Sequence, residues 1–488
     1  MPTPGRGTAG NCHSEGEIEV KHVATILAFL SVLLGGTVAR AQQPSIDSRQ
    51  NPFLGSVPSG KASPGTLRLT LEQAIERGLR SNLGLLLSSE ETKVARGNRW
   101  QALSRLLPEV EGGVSGSQQE INLDTMVGPN TLPPTIPAIA GPFHVFDARA
   151  YVSAPLLNLS ALEGEKAASR KTASASYTYR DARDTVVLAV GNAYLMAIAG
   201  KARVDTARAE LNTAQALYQL ARDREGAGLS PEIDTLRALV ELKSRQENLL
   251  AAENDYATEK LNLARVIGLP NSQTFELATQ VPYRPMPSQA LEEALAQAYQ
   301  HRSDYQAATA AVASAQAQLR AARAERYPTI GMNANWGDIG SPPSEAHQTY
   351  VIAGSLRIPI FQGRRVHGEV MAAEARLRQA QDQLANLKEQ IDYDVRTALM
   401  NLKTNASQVA VAETNTTLAA QTLDQARDRF SSGVADNIEV VQAQQTVAQA
   451  DETYIASLYR YNLSKLSLAR AMGVAESDGL SYLGEKKP

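Results

Sequence analysis

Lys260-Leu261-Asn262-Leu263-Ala264-Arg265-Val266-Ile267-Gly268 and Lys465-Leu466-Ser467-Leu468-Ala469-Arg470-Ala471-Met472-Gly473 are two spellings of one segment, 205 residues apart. The match extends outward from there. Ala221-Arg222-Asp223-Arg224 repeats as Ala426-Arg427-Asp428-Arg429 at the same offset. Pro155-Leu156-Leu157 pairs with Pro359-Ile360-Phe361, and Gly164-Glu165 with Gly368-Glu369, at an offset of 204. Leu107-Pro108 pairs with Tyr327-Pro328, and Leu71-Glu72-Gln73-Ala74-Ile75 with Leu291-Glu292-Glu293-Ala294-Leu295, at 220. A shorter middle loop in the second copy shifts the offset from 220 to 204, and chance does not keep the matches aligned to within one residue on either side of it, so the chain is an internal duplication, which fixes architecture before any local reading.

Each copy reads helix, strand, loop, strand, very long helix, tight turn, helix. Residues 71–107 and 291–327 have helix-forming composition and stop at Pro108 and Pro328, which cannot continue a helix. Residues 157–224 and 361–429 contain no proline. In the second, Leu384, Leu387, Ile391, Val395, Leu402 and Val409 recur at coiled-coil spacing. Breaks at Gly226 to Pro231 and Ser431 to Asp436 lead into helices over 231–267 and 437–472, which end before Gly268 and Gly473, suited to C-caps. At about 1.5 Å per residue each long helix spans roughly 100 Å, and two shorter helices end to end match it. One chain therefore supplies four columns of that height, with the turns at Gly228 and Gly433 at the same end.

The strand segments are 110–120 with 144–155, and 329–336 with 349–359. In the last, Tyr350, Ile352, Leu356 and Ile358 alternate with Val351, Ala353, Ser355 and Arg357, an apolar face backed by a more polar one over about 10 residues, the length of a strand crossing an outer membrane. Proline-rich loops, 121–143 and 338–347, join the pairs at an exposed end. Trp336 and Phe143, beside these loops, fit an interfacial aromatic girdle. Four strands cannot close a membrane barrel, which needs at least about 8, and open edges are not tolerated in lipid. The protein must oligomerise, and dimer and trimer both satisfy the arithmetic.

Composition narrows the function. Among 488 residues there are 48 Lys plus Arg against 51 Asp plus Glu, a net charge of −3, so no basic footprint for nucleic acid is present. One Cys, six His and 5% aromatics offer no disulfide scaffold, zinc-cysteine site or clustered metal ligands. No phosphate-binding glycine loop and no supported Ser/His/Asp grouping occurs, so neither an enzyme nor a cofactor is expected.

Near the N-terminus, Lys21-His22 precedes an apolar run from Val23 to Leu34, then Gly35-Gly36 and Ala39-Arg40-Ala41 before Gln42. That is a signal-peptide layout over 1–41, and its apolar run is too short to span a bilayer, which takes roughly 20 residues. Glu15, Glu17 and Glu19 are unlike a basic leader, which places the expected true start near Val20. Cys12 precedes the run, so the exported chain would hold no cysteine. The remaining plan is a flexible segment over 42–66, structural repeats over 67–268 and 291–473 joined by a 269–290 linker, and a 474–488 tail.

The Leu71-Glu72-Gln73-Ala74 opening, the duplicated plan, the Pro155 and Pro359 junctions, and the turns Arg224-Glu225-Gly226-Ala227-Gly228-Leu229-Ser230 and Arg429-Phe430-Ser431-Ser432-Gly433-Val434-Ala435 resemble the TolC-type outer-membrane efflux protein family over nearly the whole mature sequence. The resemblance implies a mainly α fold with a membrane β-barrel: a homotrimer with a 12-stranded barrel in outer-membrane lipid and a 12-helix periplasmic tunnel. It implies as partners a periplasmic adaptor and an inner-membrane pump or ABC transporter. It also implies adaptor docking at the tips, through Arg224, Gly228, Leu229, Ser230, Arg429, Gly433 and Val434, where the plain alternative is a hairpin needing glycine at positive φ. Glu439 matches a constricting acid of relatives, and Asp436 is taken with it as tunnel-lining; the alternative is helix-dipole partnership. Relatives carry a second acid where Gln442 stands and a basic partner where Ala435 stands, which weakens any gate of that kind. The rival to a channel is a secreted or periplasmic coiled-coil scaffold, and substrate identity (drugs, metals or proteins) is not readable.

Overall fold

The computed structural model describes residues 51–484 except 59–61, 63, 129, 130, 132, 134, 279–282, 288, 342 and 436. The expected signal peptide and alternative start lie outside the described residues. The first repeat contains β1 (Leu67–Leu69), α1 (Leu71–Ser81), α2 (Leu83–Ser104), β2 (Glu109–Asn122), a single turn α3 (Asp124–Val127), β3 (Ile139–Leu157), α4 (Leu159–Gly226) and α5 (Glu232–Ile267). After β4 (Phe275–Leu277), the second follows with α6 (Leu291–His301), α7 (Ser303–Ala324), β5 (Thr329–Gly340), β6 (His347–Arg357), α8 (Arg365–Ser431), α9 (Asn437–Ala471) and a closing α10 (Ala475–Tyr482). With 68 and 67 residues, α4 and α8 are each about 100 Å long.

The helix expected over 71–107 is two helices, and so is its counterpart over 291–327. Both break at the same repeat position, Asn82 and Arg302, each extended at ψ 130° and 115°. The causes differ. Asn82 is fully buried, its side-chain oxygen accepts from Gly84 N at 3.0 Å and Leu85 N at 3.4 Å, and its amide donates to Phe53 O at 2.7 Å. It is an N-cap, held by a residue from the segment expected to be flexible. Arg302 is 4% exposed and its guanidinium meets Asp304 at 2.7 Å and Asp394 at 2.9 Å. Burial alone would push the Asp304 carboxyl up, but Arg302 outweighs it and holds that carboxyl below its usual range.

A belt at mid-height joins elements that sequence periodicity left as linker and tail. β1 pairs in parallel with β4, Leu67 opposite Phe275, and Tyr194 OH donates to Leu69 O at 2.8 Å. Leu69, Leu71, Val186, Leu263, Ile267 and Leu466 pack into one core there, and burying each contributes roughly 1.5 to 3 kcal/mol. α10 closes the belt: Arg183 Nε donates to Glu476 at 2.7 Å, and Glu476 N donates to Asp184 Oδ1 at 2.9 Å.

The strands form one antiparallel sheet in the order β2-β3-β5-β6, with β2 and β6 as its edges. Register pairs Val110 with Val152, Val152 with Ala334, and Ala334 with Ile352. The second long helix starts four residues later than its composition suggested, because Gly363 and Arg364 both take positive φ, 57° and 66°, and turn the chain before it.

Candidate functional site: the sheet and the helical tips

Alternation along the paired strands separates two faces. Val110, Val114, Phe146, Val152, Trp336, Ile352 and Leu356 share one face by register, and all but Phe146 and Val152 are largely exposed. On the other face Asp147 and Arg149 form an ion pair at 2.7 Å and Arg149 donates to Asn335 at 3.1 Å. Trp336 stands opposite Tyr350 on the apolar face, as an aromatic facing lipid would. Phe143 does not join it: opposite Gln119 in register, it belongs to the polar face, and Phe146 takes the apolar position. Below the sheet, a concavity of about 640 Å³ is lined by Gln101, Arg105, Asn158, Thr329, Arg357 and Arg365. Thr329 and Arg357 belong by register to the polar face, so the polar side of the sheet continues onto the helices.

At the far end, the two helical hairpins turn in the same way. Gly228 has φ 72° and Gly433 φ 75°, the left-handed conformation that a side chain strains. Leu229 N donates to Arg224 O at 2.8 Å and Val434 N to Arg429 O at 2.9 Å. Leu229 and Val434 are 68% and 71% exposed, apolar side chains presented at matching points. Ser230 is half-buried.

The two arginines diverge. Arg224 leaves its own hairpin: its Nη1 donates to Phe430 O and Ser431 O, both at 3.0 Å, and its guanidinium lies 5.0 Å from the Phe430 ring centroid. Phe430 is itself buried with Leu217, Leu423 and Val440. Arg429 stays within its hairpin and pairs with Glu439 at 3.2 Å. A second tie runs from Asn437 Nδ2 to Asp234 O at 2.9 Å. Asp436 lies outside the described residues.

The sequence model of the outer membrane efflux protein family matches residues 75–269 and 294–474, the two repeats. The chain belongs to this family. Its similarity to individual efflux-family relatives is lower. It is 26% identical to the pyoverdine export outer membrane protein OpmQ of Pseudomonas putida over 323 residues, 62% of this chain and 64% of that one. It is 22% identical to the outer membrane protein TolC of Escherichia coli over 323 residues, 63% and 65% of the two chains. The match thus spans slightly under two thirds of each of these relatives. Among solved structures, the outer membrane protein VceC of Vibrio cholerae superposes with a TM-score of 0.72 at 20% identity, covering 83% of this chain and 96% of that one. The fold is of the TolC type, and the outer membrane is its location.

Sequence reasoning placed the efflux-family turns through their glycines. It missed the grip of Arg224 on the second hairpin, whose acceptors are backbone carbonyls 206 and 207 residues away. It also missed the Arg429 to Glu439 pair, although a basic and an acidic residue facing each other across a tight hairpin are a readable signal.

Proposed function

We propose that this protein is the passive exit duct of a tripartite efflux pump or type I secretion system: a homotrimer whose sheets close a 12-stranded outer-membrane barrel and whose helices form the periplasmic tunnel. The observation that carries the reading is the four-stranded sheet with two open edges, apolar on one face and polar on the other, mounted on helices about 100 Å long. Lipid requires the edges to be paired, and only further copies supply strands of the same kind. A scaffold without channel activity would have no use for the exposed apolar face. No catalytic step is needed; an inner-membrane transporter supplies the energy.

A periplasmic adaptor docks at the tips, with Leu229 and Val434 as its apolar contacts. Gly228, Ser230 and Gly433 shape the turns, and Arg224 and Arg429 hold them. Asp436 and Glu439 narrow the tunnel mouth, Glu439 with its charge partly matched by Arg429.

The test is reconstitution in planar bilayers. Purified protein should migrate as a heat-modifiable trimer and conduct, and D436A/E439A should conduct more. A freely soluble, non-conducting monomer overturns the channel, and unchanged conductance overturns the constriction alone.

A further inference from the structure

Where the sheet meets the helices, the concavity of about 640 Å³ borders all four helical columns: Arg105 just past α2, Ala161 on α4, Glu325 just past α7 and Arg365 at the start of α8. These columns stand side by side, α2 packed on α4, α4 on α7 and α7 on α8. A hollow that touches four neighbouring columns lies on the side toward which their wall curves. Thr329 and Arg357 bring the polar face of the sheet to the same hollow. In a duct, that side is the lumen.

The charges around it do not cancel. Arg365 is already neutralised, since its guanidinium meets Glu325 at 2.8 Å and Glu369 at 2.6 Å. Glu325 is the one carboxylate among the described residues that line the hollow; Glu109 and Glu111 stand on the polar face of β2 without bordering it. Arg105 and Arg357 are exposed, and neither has a carboxylate within 4 Å among the described residues. The repeat accounts for the imbalance. Arg105 occupies the position of Glu325 at the offset of 220, and Ala161 that of Arg365 at 204. Where the second copy closes an ion pair, the first holds a lone cation beside an alanine.

We propose that this hollow is a binding site for multivalent anions on the exit path, one in each protomer, with Arg105 and Arg357 as the groups that hold a polycarboxylate or a phosphate ester. This rests on the duct reading and adds to it a class of solute. Each guanidinium offers a planar fork of N–H donors that matches a carboxylate or phosphate. Gln101, on the turn of α2 before Arg105, adds a side-chain amide to the same wall. The volume suits a solute of drug size. A monovalent ion engages one arginine at a time, whereas an anion with two or more charged groups engages both. The low-dielectric wall of a membrane barrel focuses the field of the two uncompensated cations into the lumen.

Single-channel recording tests it, with citrate as the probe, added on the barrel side of the purified protein in phosphatidylcholine bilayers. At about 0.1 M KCl, where charges still act over about 10 Å, citrate should interrupt the current, and equimolar acetate or sucrose should not. R105Q/R357Q removes two exposed charges and should shorten the interruptions about tenfold. R105K/R357K keeps the charge without the fork and should shorten them less. E325Q removes the carboxylate of the hollow and should lengthen them, which provides a second reading should the double variant not assemble. A parent channel that citrate leaves open, or interruptions equally long in the parent, R105Q/R357Q and E325Q, overturns the site and leaves the duct standing. A parent protein that never conducts overturns the duct on which the site rests.

Discussion

Arg302 and Asp394 meet at 2.9 Å where α6 gives way to α7, and the Arg302 side chain is almost wholly buried while doing so. A cation enclosed with two carboxylates is costly to remove singly, because Asp304 and Asp394 are then left unpaired. R302M should destabilise the fold by about 3 kcal/mol, seen as a lower unfolding midpoint of the detergent-solubilised protein. An unchanged midpoint would show that the ion pairs contribute nothing beyond their desolvation. Asp304, held below its usual range in the fold, contributes stability above the unfolded carboxylate value of 3.8 that is lost as pH falls below it.

Arg224 ties hairpin to hairpin through two carbonyls and one ring. Hydrogen bonds to a charged group contribute about 1.5 to 3 kcal/mol, less where solvent reaches them, so R224A should loosen the second tip by about 1 to 2 kcal/mol. Hydrogen exchange at residues 426–434 is the measurement. Faster exchange there with unchanged exchange in the mid-height belt is the expected result, and unaltered tip protection would contradict the assignment.

Ile352 and Val351 are neighbours on opposite faces of β6. An arginine facing the bilayer midplane costs about 2 to 4 kcal/mol, while one facing a polar lumen is tolerated. I352R should therefore lower the yield of folded, heat-modifiable protein in lipid, and V351R should not. Equal behaviour of the two would mean that the sheet does not sit in a membrane with its apolar face outward.

Glu259 gives a pH signature to the helical column. Burial pushes its carboxyl up to about 7; Arg203 at 3.9 Å opposes the rise, and Asp255 and Glu452 add to it. A raised folded value means that the protonated group is favoured, so its contribution is fully present below the unfolded value of 4.5 and is lost as pH climbs through about 7. E259Q should match the parent near pH 4 and unfold at a higher temperature than it at pH 8. A gap between the two that does not widen with pH would refute this.

Repeat order, the long helices and the tip glycines were legible because each rests on local chemistry: proline at strand junctions, unbroken helical composition, glycine at positive φ. What escaped depends on distant partners. Nothing near Asn82 announces a helix break, since the reason is a cap completed by Phe53, and arginine at position 302 is ordinarily a good helix former whose position here is overridden by ion pairs with two half-buried carboxylates. β1 and β4 are three residues each, too short for alternation to register. Phe143 was misassigned because proximity to a loop says nothing about which face a side chain takes; a one-residue difference in parity moves it across the sheet.

Arg224 and Arg429 occupy one ancestral position, as do Asp234 and Glu439. Had the copies stayed alike, the trimer proposed above would end in six interchangeable hairpins. Because one arginine now reaches across while the other folds back, those six are grouped by twos, and the natural unit of movement at the mouth becomes the whole protomer. One arginine kept in both copies but bonded differently in each thus reduces sixfold freedom to threefold.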